Sequence, residues 1–178
     1  FENGKLRRLS LEPGADTLPT AVFFATEGGL LIGSEAARAL IDGEDGRYMR
    51  ALKSVLGTTL FHEARLLGGK RRTLAEVVTA FLAEVKARAE AETGKTFTSV
   101  LSGRPVHFHS DDPARDTRAE ADLRACYQAA GFGAVSFQFE PEAAARAAAG
   151  RGRSGEIGLV VDIGGGSTEL VWIDLTRV

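Results

Sequence analysis

The chain has a single cysteine, Cys126, in 178 residues. One thiol cannot build an intrachain disulfide framework, so nothing requires an oxidising compartment. No apolar run approaches the ~20 residues of a membrane span, and no signal peptide is visible. An excess of either charge is also missing. The 22 Lys and Arg stand against 24 Asp and Glu, giving a net charge of −2 and a pI near 6.0. That balance argues against general nucleic-acid binding, and the short run Lys70-Arg71-Arg72 reads as a solvated loop. The expectation is a soluble cytoplasmic protein with neither nucleic-acid nor membrane partners. There is no initiator methionine before Phe1, and Val178 follows an apolar strand by three residues, so the chain reads as part of a longer protein.

What the sequence does have is glycine, 21 in all, and its most telling cluster lies near the end. Asp162-Ile163-Gly164-Gly165-Gly166-Ser167-Thr168-Glu169 separates the apolar strands Ile157–Val161 and Leu170–Leu175. The tip of such a hairpin exposes bare backbone N–H groups that phosphate oxygens can approach closely. Asp162, at the strand end, is placed to hold a metal ion or its bound water. A P-loop would need a lysine after the glycines, and a dinucleotide fingerprint would lead into a helix. A plain hairpin would use glycine only for positive φ, but three in a row exceed that need.

Upstream, Thr20–Ala25 and Leu30–Ile32 read as a hairpin through Gly28-Gly29. Ser34 is expected to cap a helix over Glu35–Ile41, and Arg47–Leu56 is expected to form another. Gly68–Arg72 is a polar break. Thr73-Leu74-Ala75-Glu76 has capping-box spacing, and Leu74, Val77, Val78, Phe81, Leu82 and Val85 recur at helical spacing. A strand over Phe97–Val106 follows, then a helix opened by Asp112-Pro113 that runs to Gly131. A strand over Ala134–Phe139 and an alanine-rich helix over Glu140–Ala149 lead to the connector Arg151–Gly155. From Thr73 the order is helix, strand, helix, strand, helix, strand, strand, which argues for an α/β sheet covered by helices.

Six segments together resemble the ATPase domain of the heat-shock-70 chaperones, in the actin-like ATPase superfamily. They are Leu18–Phe24, Leu31–Ala37, Ala51–Gly57, Gly103–Phe108, Phe139–Ala145 and the glycine hairpin. The forms G-R-P-V-x-F and F-Q-F-E-P-E-A-A-A are most similar to the YegD-like branch. The resemblance implies an α/β, ribonuclease H-like lobe with an inserted smaller α+β subdomain. Residues 1–16 and 73–155 would form the core subdomain of lobe I, 17–72 the insert, and 156–178 the start of lobe II.

The resemblance also implies roles. Lys53 matches the lysine that reaches the γ-phosphate, Glu140 a carboxylate that holds Mg²⁺-bound waters, and Asp162 the aspartate at metal and nucleophilic water. Gly164, Gly165, Gly166, Ser167 and Thr168 match the phosphate-binding turn, and Pro105 a proline implicated in signalling between lobes. ATP or ADP with Mg²⁺ would be the cofactors, and client or co-chaperone proteins the partners. Taken without the family, Lys53 is an exposed helix lysine and Glu140 a helix N-terminal acid favoured by the dipole. Arg104 has no evident role, and His107 and His109 read as surface histidines rather than metal ligands.

Two features depart from the family pattern. The first phosphate loop, D-x-G-T-x-x-S, is absent, so this chain by itself is not expected to bind ATP well or to hydrolyse it. Glu169 replaces the usual second aspartate of the hairpin. The hairpin is also typical of exopolyphosphatases and guanosine pentaphosphate phosphohydrolases, whose S-G-x-E-E-A segment is not found here. A non-enzymatic, nucleotide-gated binding module of the same fold is a further alternative.

Overall fold

The computed structural model describes residues 7–15, 17–148, 157–163 and 168–174. Among the described residues it is a mixed α/β structure with four small sheets. The first is antiparallel, in the order β2-β1-β3, from β1 (Ala21–Ala25), β2 (Leu30–Ile32) and β3 (Gly46–Arg50). Period-two alternation splits β1 between two apolar clusters. Val22 and Phe24 enter the main core, whereas Ala21 and Phe23 meet Ala36 and Ala39 of α1 (Gly33–Ile41).

Two expectations fail in this region. Arg47–Leu56 is not a helix: residues 46–50 are β3, and a short 3-10 turn covers Leu52–Val55. Met49 stands opposite Val22 and Tyr48 opposite Phe23. Each side chain thereby reaches an apolar cluster on its own face of the sheet, and edge pairing overrides local propensity. Nor does Ser34 cap α1, because the helix starts two residues earlier and Ile32 occupies the cap position without a side-chain bond. A distant carboxylate performs the task. Glu12, buried, accepts from Ser34 N–H at 2.7 Å and from its hydroxyl at 2.6 Å.

Lys70–Arg72 is likewise a strand rather than a loop. It is β5, paired antiparallel with β4 (Arg65–Leu67) across Gly68-Gly69. Beyond it, α2 (Leu74–Thr93) begins as the sequence indicated. Thr73 Oγ1 accepts from Glu76 N–H at 3.1 Å, and the Glu76 carboxylate accepts from Thr73 N–H at 2.6 Å. Leu74, Val77, Val78, Phe81 and Leu82 form its buried stripe. Gly94 ends the helix in the left-handed conformation.

A βαβ unit follows. β6 (Ser99–Arg104) and β7 (Ala134–Phe139) pair in parallel, from Ser99↔Ala134 to Arg104↔Phe139. The crossover is α3 (Pro113–Ala129), capped by Asp112 and packed against α2. Its apolar residues Ala119, Leu123 and Cys126 complete the main core. α4 (Glu140–Ala148) starts immediately after β7 and packs against the last two strands. These are β8 (Ile157–Ile163) and β9 (Thr168–Asp174), an antiparallel hairpin in which Ile163 pairs with Thr168 and Asp162 with Glu169. The triple-glycine tip, Gly164–Gly166 with Ser167, lies outside the described residues.

The reciprocal cap of α2 is open to a direct test. Thr73→Ala is expected to lower the unfolding free energy by about 1 kcal/mol, and Thr73→Ser by much less. Urea unfolding followed by circular dichroism measures both; equal losses would show that the methyl group, not the hydroxyl, matters.

Candidate functional site

Parallel strands gather loop chemistry at their C-terminal ends. β7 ends at Phe139, so Glu140 opens α4 at that edge, and Pro141, fully buried, fixes the first turn of the helix. Across from it, Gly103 of β6 leaves room for the Glu140 stem: a Cβ at 103 would stand 3.2 Å from Glu140 Cγ. The Lys53 ammonium arrives from the opposite side of the site and pairs with Glu140 Oε1, although the two lie 87 residues apart in the chain. Both side chains remain open to solvent, 54 % exposed for Lys53 and 32 % for Glu140.

The backbone holds Lys53 in an unusual way. Ala51 adopts φ 56° and ψ 38°, the left-handed region that costs a residue with a Cβ about 1–2 kcal/mol. Leu52 is buried in the main core and anchors the turn. Hydroxyls satisfy its carbonyls: Ser54 donates to Ala51 O at 2.9 Å and Thr58 to Val55 O at 2.7 Å. Strain at an exposed turn persists only where surrounding contacts fix it. Here α2, which packs against the turn, and α3, which meets Gly57 just past it, supply them.

Gly57, just past the turn, lies directly on that helix. Its φ is 73°, and a Cβ there would meet Arg115 O at 2.4 Å. Its N–H donates to Asp122 Oδ2 at 2.9 Å, and His62 Nε2 meets the other oxygen of the same carboxylate at 3.0 Å. From the other side His109 Nε2 bonds Leu56 O at 2.7 Å. His109 is therefore not a surface histidine but a tether between the loop after β6 and the Lys53 turn. His107 is exposed, with Asp116 Oδ2 at 3.9 Å.

The strand-end loop is held by Arg104, which sequence reasoning left without a role. It is buried, and its guanidinium pairs with Glu120 and lies 3.4 Å from Asp116 Oδ2. It also donates to Pro105 O and Val106 O, both at 3.1 Å. Its plane sits 5.1 Å from the Phe108 ring centre and 5.4 Å from that of Phe139. Asp116 in turn accepts from Phe108 N–H at 2.5 Å and His109 N–H at 3.2 Å. A polar residue closing a strand that otherwise buries its alternate positions was the available signal for Arg104.

Of the expected site residues, then, Lys53 and Glu140 meet. Asp162 lies in β8 opposite Glu169, Thr168 opens β9, and Gly164, Gly165, Gly166 and Ser167 fall outside the described residues. Pro105 is buried in the Arg104 loop. Among the described residues no three His, Cys, Asp or Glu side chains form a metal-binding group, and no helix is long and apolar enough to cross a membrane.

Burial pushes the Asp116 carboxyl up, but the N–H groups of His109 and Phe108 and the Arg104 charge outweigh it. Its pKa therefore stands below the ordinary 3.8. A carboxyl with a depressed folded pKa stabilises the fold above its unfolded value, and that contribution fades as pH falls through the folded value. Asp116→Asn is expected to cost roughly 1.5–3 kcal/mol at neutral pH, the range for hydrogen bonds to a charged group. The gap to the parent should narrow below about pH 4. Urea midpoints of the two proteins across acid pH decide it; a gap independent of pH would exclude the charge as its origin.

No family model matches the chain. It is 29 % identical over 164 residues to the chaperone protein DnaK of Endomicrobium trichonymphae. The similarity takes in 91 % of this chain but spans only 24 % of that protein's length. This is a distant likeness to a heat-shock-70 chaperone over one part of it.

Proposed function

We propose that this chain is lobe I, with the first hairpin of lobe II, of a heat-shock-70-type ATPase that binds Mg·ATP between its lobes. One observation carries the reading. Lys53 and Glu140, assigned separately to γ-phosphate and metal-water contacts by resemblance, lie in contact at the C-terminal end of a parallel strand pair. The DnaK likeness extends over nearly the whole chain and agrees with it.

The donor set suits a hydrated magnesium nucleotide. Glu140 presents a carboxylate, an oxygen ligand of the kind that holds the waters of Mg²⁺. Lys53 presents a compact ammonium with three donors, suited to phosphate oxygens. Both side chains are accessible, and Gly103 keeps the floor beneath Glu140 low. When bound, Mg²⁺ supplies charge that neutralises the phosphate oxygens. Lys53 would donate to the terminal phosphate and offset its growing charge, while Glu140 would accept from metal-held waters. Asp162 would stand at the metal and the attacking water. Gly164–Gly166, Ser167 and Thr168 would give backbone and hydroxyl donors to the β- and γ-phosphates.

The finer parts of the proposal rest on the motifs. They are the division into core, insert and hairpin, a YegD-like chaperone homologue, a cytoplasmic setting, and client or co-chaperone partners. The YegD-like assignment draws on Gly103–Phe108 and Phe139–Ala145.

The test is calorimetric titration of ADP and ATP with Mg²⁺ into the longer protein and into this chain, followed by turnover assays of the longer protein. Tight binding by the longer protein alone is expected. Lys53→Ala should lower its turnover by about 100-fold or more while leaving ADP affinity within a few-fold. Loss of a half-exposed ion pair removes less than about 1 kcal/mol of stability, so unfolding cannot mimic that result. No nucleotide binding by either protein, or an unchanged rate in Lys53→Ala, would refute the reading; polyphosphate cleavage instead would favour the phosphohydrolase alternative.

A further inference from the structure

One peptide unit beside the Lys53 turn is bonded at both of its polar groups. Residues 55–58 form a type II β-turn. Leu56 stands at φ −59° and ψ 144°, Gly57 at φ 73°, and Thr58 N–H donates to Val55 O at 3.3 Å. The central peptide of the turn joins the Leu56 carbonyl to the Gly57 N–H. The carbonyl accepts from His109 Nε2 at 2.7 Å, and the N–H donates to Asp122 Oδ2 at 2.9 Å. A carbonyl only accepts, so the His109 proton sits on Nε2. His62 Nε2 likewise donates to the second Asp122 oxygen at 3.0 Å and orients that carboxylate.

Backbone sterics alone do not select this orientation. Turning the central peptide over would give a type I turn, whose dihedrals leucine and glycine both tolerate. In a trans peptide the C=O and N–H point to opposite sides. A turned-over unit would therefore aim its carbonyl at the Asp122 carboxylate and its N–H at the His109 donor. Oxygen would face oxygen, and donor would face donor. The observed orientation instead satisfies both groups, one from the loop after β6 and one from α3.

The Lys53 turn ends on this unit. Leu56 N–H donates to Lys53 O at 3.3 Å, and Leu52, on the other side of Lys53, is fixed in the main core. The Lys53 backbone is thus held between a buried leucine and a doubly bonded peptide, while its ammonium meets Glu140. We infer that His109 and Asp122 are positioning residues, which together fix the Leu56-Gly57 peptide and so hold Lys53 against Glu140. They act through the backbone of the turn. The catalytic use of that placement rests on the nucleotide reading; the clamp itself does not.

The first measurement uses this chain without nucleotide. The Glu140 carboxyl carbon resonance reports the ammonium beside it, and Lys53→Ala gives its position when the ammonium is gone. In His109→Ala and in Asp122→Ala that resonance is expected to move most of the way to the Lys53→Ala value. The Gly57 amide should exchange with solvent about tenfold faster or more. Cross-relaxation between Leu56 Hα and Gly57 N–H, strong in a type II turn, should weaken. His109→Gln, whose side-chain amide can still donate, should keep all three signals near the parent. Urea midpoints show that the variants are folded. In the longer protein, His109→Ala should lower kcat for ATP by about tenfold or more with KM within about twofold, and His109→Gln should restore it. The inference is overturned if both alanine variants keep the parent signals at Glu140 and Gly57, or if His109→Gln loses them as fully as His109→Ala. A parent-like kcat in a longer protein whose clamp is lost would overturn it too. No turnover by the longer parent, with the carboxyl shifts as expected, would refute the nucleotide reading while upholding the clamp.

Discussion

Arg104 is the constraint on which the site depends. It ends β6 in the interior, where a lone guanidinium would be prohibitively costly to desolvate. Asp116 and Glu120 offset its charge, two carbonyls take further N–H groups, and Phe108 and Phe139 flank its plane. The partners come from three pieces of chain: the helix, the strand-end loop, and the end of β7. Loss of the guanidinium would strip Asp116 and two carbonyls of their partner at once, a larger loss than that of either acid, since Arg104 would still keep the other. The cluster therefore fixes Phe139, and the residue that follows Phe139 is Glu140.

The same helix reaches the other half of the pair. At about 100° per residue, α3 presents three adjoining stripes. Ala119, Leu123 and Cys126 face the core. On one flank Asp116 and Glu120 engage Arg104; on the other Arg115, Arg118 and Asp122 face the Gly57–His62 segment. One rigid element thus positions both the strand end carrying Glu140 and the turn carrying Lys53. Their meeting across 87 residues follows from two local dockings onto one helix.

Where the physics is local, the sequence was readable. The α2 capping box, the Asp112-Pro113 start of α3, the β1–β2 hairpin and the alternation that makes the βαβ unit all depend on neighbours within one turn or one strand. The misreadings share a different cause. Residues 46–50 have no strong strand signal of their own and become β3 because β1 offers a free edge with an apolar cluster on each face. Ser34 is displaced from its cap by Glu12, 22 residues earlier. His109 gains its role only when Leu56 is brought beside it. Only the family motifs single out both Lys53 and Glu140, since neither the 3-10 turn nor the contact between them is written in local periodicity.

The two ion-pair systems of the site differ in burial, and that difference sorts their roles. Arg104 and Asp116 are both largely buried, so their attraction is screened less by water, whereas Glu120 is as exposed as Glu140. Lys53 and Glu140 face solvent, where a pair is worth less than about 1 kcal/mol and salt screens it further. In the proposed reading, a weak pair is one that an incoming anion and its cation would take apart at little cost, each side chain turning to a partner of opposite charge. A strong pair beneath it keeps the backbone still while that happens. The fold thus sets a yielding pair beside a more fixed one, the arrangement that the proposed nucleotide site would need in order to be preorganised yet open to its ligand.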